Sequence, residues 1–181
     1  MKKDTKFEDL FERGLETLYE AETQILAALP KMMAAASSEE LAGAFSSHLE
    51  ETRQHVSRLE TIFEQMGEEP RGRESEGLRG LLADGDTIIA DMEKSSTLDV
   101  GLATGARKVE HWEMVAYESM CAMAEMLGQH DAFDLLQETL EEENEADETL
   151  AQMVESILIG DTTEEEEEIE EVVEETEVEE L

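Results

Sequence analysis

Leu41-Ala42-Gly43-Ala44-Phe45-Ser46-Ser47-His48-Leu49-Glu50-Glu51-Thr52-Arg53-Gln54-His55-Val56-Ser57-Arg58-Leu59-Glu60-Thr61-Ile62 decides the fold of this chain. Within it Leu41, Phe45, His48, Thr52, His55, Leu59 and Ile62 step by four and three, so they share one helix face. Two histidines sit in the middle of that face, with Glu51 beside them. Three other stripes are interrupted in the same way. Phe11, Leu15, Leu18, Glu22, Ile25 and Leu29 have an acid in the middle. Ala106, Glu110, Glu113, Tyr117, Met120, Ala124 and Leu127 have two, as do Leu136, Leu140, Glu143, Asp147, Leu150 and Val154. Four such faces pack as a bundle and bury several carboxylates together. Carboxylates in that position repel one another and are costly to desolvate, and bound cations are the usual remedy.

Counting places the polar residues at matching heights. Ser37-Ser38 reads as a turn and helix N-cap, with Glu22 fifteen residues before Ser37 and Glu51 fourteen after it. At about 1.5 Å per residue both lie about 21 Å from the turn. Gly128 reads as a C-cap and Asp131 as an N-cap. Glu110 and Glu113 precede Gly128 by eighteen and fifteen residues, and Glu143 and Asp147 follow it by fifteen and nineteen. Two antiparallel hairpins therefore bring their acids to one level.

The periodicity predicts an all-α fold, with long helices over about 5–36, 38–67, 98–127 and 132–159 and a weaker, glycine-bearing helix over 77–93. Pro30 falls inside the first pattern and is expected to kink or divide it. Residues 68–97 are long enough to serve as the crossover that a ferritin-like four-helix bundle needs. One bundle domain is expected over 1–160, followed by a disordered acidic tail over 161–181.

The 181 residues include 49 acids and 13 bases, a net charge of −36. The tail accounts for −13 of this, which leaves −23 on the other 160 residues. Such self-repulsion suits a halophile, whose salt screens it; an ordinary protein with an acidic tail is the plainer alternative. The charge argues against nucleic acid as a partner. No stretch reads as a membrane span or a secretory leader, and the single cysteine, Cys121, cannot form an internal disulfide, so a cytoplasmic location is expected.

Glu22, Glu51, Glu110 and Glu143, one per helix, are the primary candidate metal ligands, and their −4 would neutralise two divalent ions. His55 and His48 share the face of Glu51 and are ligands, hydrogen-bonding partners of ligands, or ordinary core histidines. Glu113 and Asp147 are candidate ligands or supports one turn further on. Tyr117 either donates a hydrogen bond or an electron near the centre or is simply core. His111 points away from the face, His130 falls in a turn, and the methionines are core filler.

Leu18-Tyr19-Glu20-Ala21-Glu22, His48-Leu49-Glu50-Glu51-Thr52, Val109-Glu110-His111-Trp112-Glu113 with Tyr117, and Thr139-Leu140-Glu141-Glu142-Glu143 with Asp147 together resemble the YciE/YciF branch of ferritin-like proteins. The likeness spans about residues 6–158, including Gly77-Leu78-Arg79-Gly80-Leu81-Leu82 in the crossover. It implies a four-helix bundle with a dinuclear, usually di-iron centre. It also implies a homodimer and a stress-response role labelled ferroxidase, with Fe(II) and oxygen or hydrogen peroxide as reactants. The chain departs from the wider ferritin pattern. Glu51 and His55 are four apart rather than three, and the last helix offers Glu143 and Asp147 without a histidine. An oxygen-rich site of this kind also admits manganese. A non-catalytic metal-binding or structural stress protein is the alternative reading.

Overall fold

Ser38 and Gly67 bound the helix that carries the histidines. The Ser38 hydroxyl accepts from the backbone N–H of Glu40 and Leu41, and Gly67 closes the other end in the left-handed conformation (φ 74°) that only glycine adopts cheaply. In this computed structural model the backbone is described over residues 6–179 and side chains over 6–160. The helices are α1 (Phe7–Ala35), α2 (Glu39–Met66), α3 (Glu76–Asp91), α4 (Ser96–Leu127) and α5 (His130–Glu179), with no strand among the described residues.

The helix boundaries fall within a few residues of the sequence reading, with three differences. Pro30 does not divide α1, which runs unbroken through it. Asp131 is not the cap of α5; the helix begins one residue earlier, so Asp131 lies in its first turn, where a negative charge still suits the helix dipole. Helix α5 continues to Glu179, past the end expected near 159 and through most of the tail expected to be disordered at 161–181; the side chains past Gly160 lie outside the described residues.

Helix α1 packs beside α2 and α4, and α5 packs beside α2 and α4, closing a four-membered ring. The α1–α2 turn and the start of α4 meet at one end. There the buried Asp99 carboxylate accepts from the Ser37 and Ser38 backbone N–H groups at 2.7 and 2.8 Å and from the Ser37 hydroxyl at 2.6 Å. Since α2 ends at the opposite pole, α3 must carry the chain back along the bundle, and it does so against α4 and α1. Neighbouring long helices are thus all antiparallel, the arrangement the long crossover was expected to produce. The loop before α3 is fixed to α1 by the buried Glu16, whose carboxylate accepts from Arg71 (2.6 Å) and Arg73 (2.8 Å). Burial alone would raise the Glu16 pKa, but the two guanidinium groups outweigh it and lower it.

The core is split in two. One half gathers Phe11, Leu15, Leu18, Leu59, Phe63 and Leu136; the other gathers Ile25, Leu29, Leu41, Phe45, Leu102 and Leu150. Each such side chain contributes about 1.5–3 kcal/mol by leaving water. Every long helix passes from one half to the other through a polar layer. Glu22 lies between Leu18 and Ile25, His48 to His55 between Phe45 and Leu59, and Glu110 and Glu113 between Val109 and Tyr117. Glu143 lies between Leu140 and Leu150.

Candidate metal centre

The layer buries Glu22, His48, His55, Glu110, Glu113 and Glu143, together with Thr52 and Asp147. Donor atoms of five of these residues form two overlapping groups, Glu22–His55–Glu143 and His48–Glu110–Glu143, each with its atoms within 4.8 Å of one another. Glu143 belongs to both. His55 Nδ1 lies 3.1 Å from Glu143 and 3.4 Å from Glu22. His48 Nε2 lies 3.5 Å from Glu110 and 3.8 Å from Glu143, and the two imidazole rings are 6.2 Å apart.

Seven buried side-chain atoms here have no hydrogen-bond partner among the described residues. They are Nδ1 of His48 and of His55, Oε2 of Glu110, and both carboxylate oxygens of Glu113 and Glu143. A buried, unmade hydrogen bond costs about 1–3 kcal/mol, and more where the group is charged. These atoms are imidazole nitrogens and carboxylate oxygens, the donor types that iron, manganese and zinc accept. The residues present therefore fit a pair of divalent ions.

The electrostatics point the same way. Burial, with the charges of Glu143 and Glu22 added, pushes the Glu113 carboxyl far above its ordinary range. Burial also raises Glu110 well above its ordinary value, with Glu143 adding to the shift and His48 opposing it. Glu143 is raised by burial against the pull of His55. Burial disfavours a charged His55, but Glu22 and Glu143 overcome this and push it up to about 11. These groups crowd negative charge that protons or metal ions must offset.

The surroundings hold the inner groups in place. The Tyr117 phenol donates to Glu22 Oε1 at 2.5 Å, and burial beside that carboxylate raises its pKa, so it stays a neutral donor. His55 Nε2 faces Glu142 at 2.8 Å, and Arg58 donates to both oxygens of Glu142 at 2.5 and 2.9 Å. The Nε2 contact leaves Nδ1 turned toward Glu22 and Glu143. An imidazole with its outer nitrogen on a carboxylate is the usual support for a metal-ligating histidine.

The structure brings together Glu22, His48, His55, Glu110 and Glu143 from the expected set, with Glu113 beside them. Glu51 stands at the rim, 41% exposed, 3.4 Å from His48 Nδ1 and outside both groups, so α2 contributes its two histidines to them. The reason is helical phase: Glu51 lies about 100° from Thr52, which faces the core. Asp147 is also outside both groups. Its carboxylate is held by Arg107 at 2.7 and 3.2 Å and by His111 at 3.2 Å, and the Arg107 contact lowers its pKa. Sequence reasoning did not single out Glu142, Arg58 or Arg107. Arg58 follows His55 by three residues, one helical turn, which is the available signal for it.

The chain is 37% identical over 141 residues to Protein YciF of Escherichia coli K12, covering 77% of this chain and 85% of that protein. The crystal structure of the E. coli stress protein YciF superimposes with a TM-score of 0.82 at 34% identity, over 85% of this chain and 98% of that one. YcfI from Rhodopseudomonas palustris matches with a TM-score of 0.80 at 35% identity, over 83% and 97% of the two chains. A protein from Xanthomonas campestris pv. campestris, 18% identical with a TM-score of 0.69, shares the fold. The family model described as Domain of unknown function (DUF892) matches residues 6–162, and the chain belongs to that family.

Proposed function

We propose that this protein binds two divalent metal ions, preferentially iron, in its polar layer and oxidises Fe(II) with oxygen or hydrogen peroxide as a protection against oxidative stress. One observation carries the reading: Glu22, His48, His55, Glu110 and Glu143, from α1, α2, α4 and α5, meet at one level as two groups that share Glu143, and all of them but Glu22 carry buried atoms without a hydrogen-bond partner. Iron in that position supplies electrons as Fe(II) becomes Fe(III). The protein's own part is to hold and to insulate. Glu22, Glu110 and Glu143 offset the ions' charge, and His48 and His55 supply one nitrogen to each group. Tyr117 holds Glu22, Glu142 with Arg58 holds His55, and the two apolar half-cores enclose the layer from either end. A stress role is supported by the likeness to YciF, which is described as a stress protein.

A homodimer is supported by a groove of about 310 Å³ between α1 and α4, lined by Leu10, Arg13, Thr17, Ala116, Ser119 and Met123 among others, without a single acid. In a chain of charge −36, such a face is where a second copy can approach. No helix among the described residues is long and apolar enough to cross a membrane. A halophilic, cytoplasmic setting fits the charge.

The test is anaerobic titration of the metal-free protein with Fe(II), followed by oxygen or peroxide. Uptake of about two ions per chain and rapid, repeated formation of ferric absorbance support the oxidase. Uptake without oxidation leaves a metal-binding structural protein, and no uptake removes the metal centre.

A further inference from the structure

A cavity of about 300 Å³ opens between α2 and α5. Its mouth carries Glu51, Glu142 and Glu145, its walls include Phe45, Leu150 and Met153, and its floor is His48 and Glu110. It thus reaches His48 and Glu110 of one donor group, whereas Glu22 and His55 of the other, and the shared Glu143, do not line it. The unlined group is sealed: Glu22 is 1% exposed, and His55 and Glu143 are 0%. His55 is closed off further by Glu142 and Arg58. Glu110 lines this cavity although it is only 3% exposed, and its Oε2 has no hydrogen-bond partner.

The chemistry of the route selects its occupant. Three carboxylates at the mouth and a net charge of −36 repel anions and concentrate cations. An octahedral shell of about six waters, at about 30 Å³ each, needs about 180 Å³, so a hydrated divalent ion fits the space. The apolar walls and the imidazole and carboxylate floor favour exchanging that shell for protein donors.

We propose that the α2–α5 cavity is the route by which a hydrated divalent cation reaches the centre, so that the His48–Glu110–Glu143 half exchanges its ion rapidly while the Glu22–His55–Glu143 half retains one. This rests on the metal-centre reading. The exchanging half then handles cation as substrate, and the sealed half holds a resident ion.

Cobalt(II) release from the loaded full-length protein tests it, followed by visible absorbance after excess chelator is added. Two phases of similar amplitude are expected, the fast one at least about tenfold faster than the slow. Ala146→Phe, in the cavity wall, slows the fast phase about tenfold and leaves the slow phase alone. Ala44→Leu, in the opposite wall, does the same and serves if the first variant does not fold. Val115→Leu, on the exposed face of α4 and outside the cavity, changes neither phase. His48→Ala removes the fast phase and His55→Ala the slow one. A single phase, or a folded wall variant with unchanged kinetics, overturns the inference while leaving the centre intact. Failure of the parent protein to bind cobalt overturns both.

Discussion

Glu113→Gln should make the metal-free protein more stable, and by an amount that depends on pH in a defined way. Glu113 is fully buried, neither carboxylate oxygen has a hydrogen-bond partner, and its neighbours Glu143, Glu22 and Glu110 are acids. Burial and those acids raise its pKa in the folded state from the ordinary 4.5. The folded protein therefore binds a proton that the unfolded chain has released, and stability falls as pH rises from about 4.5 toward the folded value. A buried polar group left without a hydrogen-bond partner costs about 1–3 kcal/mol, and more where it is charged. Glutamine has nearly the same shape, carries no charge and has no proton to bind, so it avoids the charged part of that cost. The gain should be about 1–3 kcal/mol at pH 7.5 and should shrink toward pH 4.5, where the unfolded chain also begins to bind the proton. With about 2–4 °C per kcal/mol for a domain of this size, the Tm in chelator and high salt should rise by about 2–12 °C at pH 7.5. Saturating divalent metal should erase the advantage, since the ions offset the same charge in the parent protein. A variant that melts at or below the parent temperature at pH 7.5, or whose gain does not shrink toward pH 4.5, refutes the reasoning.

Glu143→Ala removes the carboxylate common to both groups and should lower bound metal from about two ions per chain to less than one, by elemental analysis after purification without chelator. Glu142→Gln weakens the support of His55 without touching the ions; metal affinity should fall about 10–100-fold in a competitive titration, with helical circular dichroism unchanged. Asp99→Ala strips three hydrogen bonds from the α1–α2 turn and should cost about 2–4 kcal/mol in urea unfolding, without altering metal stoichiometry. Raising salt from about 0.1 M to about 1 M should stabilise the metal-free protein, because screening shortens from about 10 Å to about 3 Å; a Tm that falls with salt counts against the self-repulsion argument.

Local chemistry determined the helices. The four-and-three stripes, the Ser38 cap and the left-handed glycines at 67 and 128 act within a few residues, so they are legible in order along the chain. The shared height of Glu22, His48 to His55, Glu110, Glu113 and Glu143 was legible too, because rise per residue is constant and both hairpins have short turns. Tertiary structure decided which acids face one another and which carry a partner. Glu51 and Asp147 have the right height but the wrong company: one reaches solvent beside His48, and the other meets Arg107 and His111. Glu142 and Arg58 acquire their role only when α2 and α5 come into contact. A heptad count gives a residue's height and rough direction, whereas its charge partner comes from another helix, at a phase set by how the helices pack.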